Sequence, residues 1–499
     1  MSALAVADHA RMEISPTLDA VVRSKLGQFM TPASVARFMA SLFGDLPEEI
    51  HLLDPGAGVG SLTAAFVQEA CSRRSKPRSI NVTAYELDPV LAAHLEATLG
   101  ECALDCQRAG ITFSARIARD NYIIQSAEPL LRAAERVEFN CAVMNPPYAK
   151  INLGSAERRA LTSLGIETSN LYAAFVALAV QQLVAEGQLV AITPRSFCNG
   201  TYFEPFRRLI LRSSALQRFH LYESRRHAFQ DDDVLQENVV FKLTRGLAQP
   251  ETVQISSSLG TDTDNVMSRS VPFEEVVHPQ DRHAYIRLVT SDEDSNLAQR
   301  VQALPETLKT LGLKVSTGRV VDFRARAALR QDPEPGAVPL IYPAHFKDGF
   351  VVWPRLGGKK ANALAHNEAT ADLTVPAGFY VLTKRFTSKE ERRRIVAAIY
   401  DPGRFSAEQV GFENHLNYFH KDGAGLSRLV AKGLTLFLNS TAVDQYFRLF
   451  SGHTQVNATD LRNLHYPTLN QLEDLGLSLG EELPEQPRID ELVAPVLGG

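Results

Sequence analysis

A short proline-rich segment limits the folds available to this chain more than any other part of its sequence. Asn-Pro-Pro-Tyr at positions 145–148 directly follows the apolar run of residues 139–144. A continuous apolar run of this length predicts a strand that is buried on both faces of a parallel sheet. Neither Pro146 nor Pro147 can donate a backbone N–H, and each has a fixed φ, so the segment cannot continue in the sheet. It is therefore predicted to form a loop at the carboxyl end of a buried strand.

The polar groups of this loop suit the binding of an aromatic amine such as N6 of adenine, which is a poor nucleophile because its lone pair is delocalised into the ring. The side-chain oxygen of Asn145 and the carbonyl of Pro146 can accept its two N–H bonds and stabilise the positive charge that grows on the nitrogen. Tyr148 offers a flat face for a base that has left its stack. The alternative is a proline-rich surface turn, but the full tetrad is expected by chance in about one in a thousand such chains. The predicted catalytic residues are Asn145, Pro146, Pro147 and Tyr148.

A glycine-rich motif lies at the end of an earlier predicted strand. Residues 51–53 predict the strand, residues 54–60 (Asp-Pro-Gly-Ala-Gly-Val-Gly) a turn, and residues 61–71 a helix. This order brings the backbone close to a cofactor at the carboxyl edge of a parallel sheet. The glycines are evenly spaced after an acid and fit G-x-G-x-x-G poorly, which favours S-adenosylmethionine over a pyrophosphate cofactor. The predicted cofactor contacts of this turn are Asp54, Gly56 and Gly58.

Two acids follow the next two predicted strands. Residues 80–85 lead into Glu86, whose carboxylate can accept both ribose hydroxyls of NAD or of S-adenosylmethionine. Residues 111–118 lead into Asp120, which can accept the adenine amino group of the cofactor. The alternative for Asp120 is a solvated loop aspartate.

Strands and helices alternate through the first half of the chain. After residues 139–144, further strands are predicted at 187–194, 216–223 and 237–243, with a helix at 170–186. This alternation predicts an α/β fold with a doubly wound, mostly parallel sheet of seven strands. Phe229 falls in a polar loop between the last two strands, where it is either a second aromatic wall for an extruded base or an aromatic of the core.

The segment before the first strand predicts a capped helix. Residues 33–43 are apolar at helical spacing, Thr31 is placed to cap them, and Pro32 takes the first helical position.

Basic charge is concentrated in the distal part of the chain. The whole chain has a net charge of −5, yet residues 314–434 hold 19 Lys and Arg against 12 Asp and Glu, a local charge of +7. Such a region suits nucleic-acid phosphates and base edges, and the alternative is a solvated charged surface. Trp353 and the aromatics of residues 412–419 favour a binding surface, and residues 392–394 are predicted to be helical. The predicted DNA contacts of this region are Arg324, Lys384 and Arg385.

Length and composition predict several domains in one cytosolic protein. At 499 residues, we divide the chain into a catalytic domain at 1–246, a β extension and connector at 247–296, a recognition domain of α+β class at 297–470 and a solvated acidic tail at 471–499. The five cysteines lack paired Cys/His spacing, which predicts reduced thiols and no metal site. Cys102 and Cys106 are predicted to be buried on a helix. Neither a signal segment nor a membrane span is expected.

With these motifs placed, the chain resembles the DNA adenine-N6 methyltransferases of restriction–modification systems, in the gamma motif order and the BsuBI/PstI-like subgroup. The resemblance covers nearly the whole chain. It implies that Phe29 and Thr31, within Gln-Phe-Met-Thr-Pro at 28–32, belong to the leading cofactor motif, and that residues 316–324 and 454–461 are recognition segments. It also implies S-adenosylmethionine as methyl donor and double-stranded DNA as substrate. Because the chain shows no nuclease constellation, a cognate restriction endonuclease is expected to be a separate chain.

Two other functions fit some of these motifs. The same chemistry serves the methylation of RNA bases and of protein glutamine, although such enzymes usually place a small substrate domain before the cofactor turn. Here a large region follows the sheet instead. A DNA-binding subunit with a vestigial sheet is the non-enzymatic alternative.

Overall fold

The protein forms two compact units, Met1–Thr290 and Ser291–Gly499. The computed structural model describes residues 2–15, 30–132, 138–222, 238–258, 266–387, 391–452 and 454–498.

The first unit is an α/β structure. Its described strands are β1 Glu49–Pro55, β2 Ser79–Tyr85, β3 Thr112–Ala118, β4 Phe139–Met144, β5 Leu183–Pro194, β6 Ser214–Tyr222, β7 Asn238–Arg245, β8 Thr252–Ser258 and β9 Met267–Pro272. Its described helices are α1 Ala3–Ile14, α2 Ala33–Ser41, α3 Ser61–Ser72, α4 Pro89–Ala109, α5 Tyr122–Leu131, α6 Ala156–Ser163, α7 Leu171–Gln182, α8 Glu204–Ser213 and α9 Phe273–Val276.

One mostly parallel sheet organises this unit. Among the described residues it has nine strands in the order β3-β2-β1-β4-β5-β7-β6-β8-β9. The first five run parallel, and β7 reverses between β5 and β6. The predicted doubly wound α/β fold is confirmed, and the seven predicted strands all form. Two further strands, β8 and β9, extend the sheet at one edge because their residues continue the ladder from β6.

Some local boundaries differ from the sequence prediction. The helix predicted at 170–186 ends at Gln182, because Leu183 already pairs with Phe139 of β4 and the chain continues as β5. Helix α2 begins at Ala33, and Pro32 rather than Thr31 occupies the N-cap position. The predicted cap by Thr31 is therefore wrong. Cys102 and Cys106 are buried on α4, as expected.

The second unit combines two sheets with short helices. Its described strands are β10 Lys314–Thr317, β11 Leu329–Arg330, β12 Ala337–Ile341, β13 Phe346–Lys347, β14 Phe350–Val351, β15 Ala363–Ala365, β16 Thr374–Pro376, β17 Tyr380–Lys384, β18 Ala397–Tyr400, β19 Gln409–Phe412 and β20 Leu416–His420. Its described helices are α10 Asp292–Gln302, α11 Arg428–Leu438, α12 Thr441–Phe450, α13 Ala458–Arg462, α14 Leu469–Leu477 and α15 Gln486–Val493. The sheet orders in these residues are β10-β20-β17-β18-β14-β13 and β11-β15-β12-β19-β16.

The aromatics expected on a binding surface of this unit belong mainly to its core. Phe412, Tyr418 and Phe419 are buried in β19 and β20. Trp353 is half-buried against Phe405 and donates its indole N–H to a backbone carbonyl at 2.5 Å. Phe412 and Tyr418 belong to one buried cluster with side chains of both sheets, and Trp353 packs against that cluster.

Two other predictions for the second unit are corrected. Residues 392–394 are not helical. Arg394 is buried, and its backbone N–H donates a hydrogen bond to the carboxylate of Asp444 at 2.6 Å. The predicted acidic tail instead forms α14 and α15, whose apolar side chains, including Leu472 and Ile489, are buried. Helix α14 lies so close to α11 that a Cβ on Gly433 would be 1.8 Å from the Leu472 carbonyl oxygen.

The predicted connector at 247–296 contributes to both units. Strands β8 and β9 belong to the first sheet, whereas Asp292 begins α10 in the second unit. In the part of the chain that the structure describes, no helix is both long and apolar enough to cross a membrane.

Candidate active site

A cavity of about 380 Å³ opens at the carboxyl ends of strands β1 to β4 in the first unit. The carboxyl ends of parallel strands share one edge of a sheet, so motifs far apart in the chain can meet there. Of the predicted residues, the cavity is lined by Thr31, Gly56, Gly58, Glu86, Asp120, Asn145 and Pro147. The structure therefore brings five separate sequence motifs to one site.

The glycine-rich turn is attached to the end of the neighbouring strand β2. The backbone N–H groups of Gly56 and Ala57 both donate to the Tyr85 carbonyl at 2.9 Å. Gly58, in the left-handed region with φ +57°, donates its N–H to a carboxylate oxygen of Glu86 at 2.8 Å. A Cβ on Gly60 would meet Leu95 of α4 at 2.9 Å, so only glycine allows the turn to lie this close to the helix.

Glu86 is held rigidly at the cavity wall. One carboxylate oxygen accepts the N–H of Gly58, and the other accepts the N–H of Asp88 at 2.9 Å. Burial raises the pKa of the Glu86 carboxyl, while these two hydrogen bonds oppose the rise. Each carboxylate oxygen retains a further lone pair. The side chain is thus oriented to accept two more hydrogen bonds from a ligand in the cavity.

Asp54 lies beneath the glycine-rich turn rather than in the cavity lining. One oxygen accepts the Thr63 hydroxyl at 2.6 Å, and the other has no hydrogen-bond partner among the described residues. Complete burial raises the pKa of Asp54 to about 7 against the hydrogen bond from Thr63, and the charge of Glu86 adds to the rise. A buried acid with an unsatisfied oxygen favours positive charge nearby. A cationic cofactor would supply such a charge.

The asparagine of the tetrad is oriented from both sides. The Asn145 amide nitrogen donates to the Thr31 hydroxyl at 3.1 Å, and its side-chain oxygen accepts the Tyr148 hydroxyl at 2.8 Å. Thr31 therefore contacts the tetrad loop instead of capping α2. Pro147 lines the cavity, whereas Pro146 is buried. The loop thus presents an amide of fixed orientation at the cavity.

Tyr148 is partly packed into the first unit. Its ring is edge-on to Tyr172 with centroids 6.3 Å apart, and burial raises the pKa of its hydroxyl. Tyr148 does not line the cavity itself. Its hydroxyl serves to orient Asn145, a role that the residue pattern did not reveal.

Three aromatic side chains of the lining were missed in the sequence. Tyr122 contacts both Tyr85, at a ring-centroid distance of 5.0 Å, and Phe175, at 4.9 Å. Tyr85 directly precedes Glu86, which was a usable signal. Phe175 lies in the uniformly apolar helix α7, where nothing in the sequence distinguishes it from core residues. Together the rings form an apolar wall that suits a flat heterocycle.

The remaining predicted residues fall elsewhere. Asp120 is exposed at the cavity rim, while Phe29 and Phe229 lie outside the described residues. The predicted DNA contacts belong to the second unit. Arg324 is exposed with its guanidinium 5.5 Å from the ring centre of Phe323.

The distal basic residues lie near the two segments that resemble recognition segments. Lys384 is the last residue of β17. The guanidinium of Arg385 donates a hydrogen bond to the Asn414 carbonyl at 3.2 Å. Asn417 connects the two segments, because it accepts the Thr317 hydroxyl at 3.2 Å and donates to the Val456 carbonyl at 2.8 Å. Residues 316–324 and 454–461 therefore meet beside the end of β17.

Restriction–modification methyltransferases are the relatives that match this chain over nearly its whole length. Residues 91–229 match the family described as Eco57I restriction-modification methylase. Type II methyltransferase M.PstI of Providencia stuartii is 47% identical over 486 residues, which cover 97% of this chain and 96% of that protein. Type II methyltransferase M.BsuBI of Bacillus subtilis is 43% identical over 479 residues, covering 95% and 93%. The Type IIL restriction-modification enzyme MmeI, solved in complex with DNA, shares the fold with a TM-score of 0.54 at 11% identity, covering 99% of this chain and 74% of that one.

Proposed function

This chain belongs to the type II methyltransferases of restriction–modification systems, the family of M.PstI and M.BsuBI, and we propose on that premise that it methylates N6 of adenine in double-stranded DNA. The observation that supports methylation of an exocyclic amine such as N6 is the amide of Asn145, held between Thr31 and Tyr148 at the cavity. An amide oxygen beside a peptide carbonyl accepts both N–H bonds of an exocyclic amine. The proposed product is DNA carrying N6-methyladenine at a specific site, which a cognate endonuclease on a separate chain would then not cut.

The methyl donor in this proposal is S-adenosylmethionine, which supplies an electrophilic methyl group on a sulfonium. Glu86 accepts the ribose hydroxyls with its remaining lone pairs, and Asp120 accepts the adenine amino group. Tyr122 and Phe175 contribute apolar surface for the adenine ring. The buried carboxyl of Asp54 makes the turn favourable for a cation.

The chain's own residues then activate the acceptor nitrogen. Asn145 Oδ1 already accepts one hydrogen bond from Tyr148 and can accept a second from an N6–H. The Pro146 carbonyl takes the other N–H. As N6 becomes tetrahedral and gains positive charge, both hydrogen bonds strengthen, so they stabilise the transition state more than the ground state. Formation of the N6–CH3 bond is matched by cleavage of the S–CH3 bond, which leaves a neutral thioether, and the methylated nitrogen then releases one proton to solvent.

The target adenine must leave the duplex for this contact to form. Inside the stack its N6 is engaged in a base pair and cannot reach a loop at the edge of a sheet, so we include base flipping in the proposal. The ring of Tyr148 offers a stacking face to the extruded base.

The function is tested with unmethylated plasmid, purified protein and labelled S-adenosylmethionine. We expect label in the DNA, and digestion to nucleosides should release it as N6-methyldeoxyadenosine. Label in RNA or in protein glutamine, with none in DNA, would instead support the alternative substrates. DNA binding without methyl transfer to any substrate would support a non-catalytic subunit.

In the same proposal, basic residues of the second unit bind DNA phosphates, among them the exposed Arg324 and the half-buried Lys384. Arg324→Gln combined with Lys384→Gln should weaken binding to all sequences and lower the slope of log affinity against log salt by about one per lost contact. Arg385 is left unchanged, because its guanidinium also holds the Asn414 carbonyl. Salt titrations by fluorescence anisotropy measure the slope, with the exposed Arg488→Gln as control. A slope equal to that of the parent protein would contradict phosphate contacts at these two residues.

A further inference from the structure

Two large side chains beside the candidate active site are unusually exposed. Leu153 is 92% exposed and Tyr202 is 80% exposed. Leu153 lies in the segment between the tetrad and α6, after β4, and Tyr202 lies in the segment between β5 and α8. Strands β4 and β5 are hydrogen-bonded neighbours in the sheet. Both side chains therefore follow the carboxyl ends of adjacent strands, and the proposed catalytic loop leaves the first of these two strands.

The segment that carries Tyr202 is anchored by a buried cation. Arg207 is fully buried, and its guanidinium donates to the carbonyls of Phe197, Asn199 and Gly200 at 2.7 to 2.9 Å. Burying a guanidinium is costly unless its N–H groups are hydrogen-bonded. Here these bonds hold the backbone that leads directly to Tyr202. The position from which the Tyr202 side chain projects is therefore fixed.

The segment that carries Leu153 is fixed at both ends. The Ile151 N–H donates to the Ser169 carbonyl at 2.8 Å, and the Leu171 N–H donates to the Ala149 carbonyl at 2.9 Å. Between them, the Ser155 N–H closes a turn on the Asn152 carbonyl at 3.3 Å, with Leu153 at its tip. The leucine is thus held away from the core by its own turn.

The first turn of α7 connects the two segments to each other and to the tetrad. Leu171 binds the backbone beside the Leu153 turn, as described above. Its neighbour Tyr172 stacks on Phe203 with centroids 5.5 Å apart, shares a hydrogen bond with Ser196 at 2.9 Å, and contacts the ring of Tyr148. One rigid element therefore sets the positions of both exposed tips relative to the catalytic loop.

We propose that Leu153 and Tyr202 enter the duplex at the target step and occupy the space that the extruded adenine leaves; this inference rests on the proposed function. Apolar wedges of this kind offset the lost stacking when a base pair opens. A tyrosine ring can also stack on the unpaired base that remains. The exposed Lys150 and Arg159 flank Leu153 and suit the adjacent phosphates.

The test uses duplexes with 2-aminopurine at the target position, whose fluorescence rises when the base leaves the stack. Leu153→Ala and Tyr202→Ala should each lower both this rise and kcat/KM on a matched adenine duplex by about tenfold. A mismatch at the target reduces the cost of opening, so each defect should shrink to about twofold there. Tyr202→Phe should retain the parental values. Because both side chains are exposed, the melting temperature should not change.

The matched control is Leu104→Ala, which removes another exposed leucine of the first unit from α4. It should behave as the parent protein on every duplex. If both tip variants show parental fluorescence and rates on the matched duplex, or defects equal on matched and mismatched DNA, the wedge proposal is wrong. Failure of the proposed function is separate, because the parent protein itself would then form no N6-methyladenine.

Discussion

Asn145→Ala is expected to lower the rate constant of methyl transfer by about a hundred- to a thousandfold, the size found when one pre-organised transition-state hydrogen bond is removed. The affinities for S-adenosylmethionine and DNA should stay near those of the parent protein. The hydrogen bond from N6 to the Asn145 amide oxygen becomes strong only as charge develops on N6 in the transition state. Single-turnover transfer from saturating labelled S-adenosylmethionine measures the rate. The fluorescence of 2-aminopurine at the target position reports whether the base still leaves the stack, and we expect most of the rise to remain.

Two substitutions of Tyr148 separate orientation of the amide from capture of the base. Tyr148→Phe removes the hydroxyl that donates to Asn145 but keeps the ring, so it should slow transfer while leaving the fluorescence rise intact. Tyr148→Ala should also change the fluorescence, and a target mismatch should rescue it better than Asn145→Ala, since opening then costs less. Transfer by Asn145→Ala at near the parental rate would refute the proposed role of the amide.

Glu86→Ala is expected to weaken S-adenosylmethionine binding by about a hundredfold, because two charge-assisted hydrogen bonds to the ribose would be lost. The loss has a second cause in the protein itself. Glu86 accepts the N–H groups of Gly58 and Asp88, so its removal also releases the glycine-rich turn. DNA affinity should remain, since Glu86 lies in the cavity wall and none of its described contacts is on an exposed basic surface.

Isothermal titration with S-adenosylmethionine measures the first affinity and fluorescence anisotropy the second. The control is Glu96→Ala, which removes an exposed acid from α4 that pairs only loosely with Arg119 at 3.7 Å. It changes the net charge by the same amount without touching the cavity. Equal losses of cofactor and DNA affinity in Glu86→Ala would argue against the ribose role, as would unchanged cofactor affinity.

Local sequence patterns were sufficient to predict the sheet and the edge of the sheet where the predicted motifs meet. The apolar run 139–144 predicts a strand because both faces of a central parallel strand are buried. The turn 54–60 predicts the end of another strand because its glycines allow φ values that other residues rarely adopt. Parallel strands share one carboxyl edge, so the motifs at those ends had to converge. The family resemblance, carried by the same motifs, is confirmed by the near full-length similarity to M.PstI and M.BsuBI. The roles of individual site residues, including Phe29 and Phe229 outside the described residues, stay predictions.

Only the tertiary structure decided which way individual side chains face. Thr31 is placed to cap a helix in the sequence, but its hydroxyl binds Asn145, more than a hundred residues away. Asp54 belongs to the motif yet lies beneath it, because Thr63 on α3 takes one of its oxygens. The acidic segment after residue 470 packs as helices because Gly433 and Gly476 allow two backbones to approach closely. Each of these outcomes depends on a partner supplied by a distant segment, and local propensity carries no information about such partners.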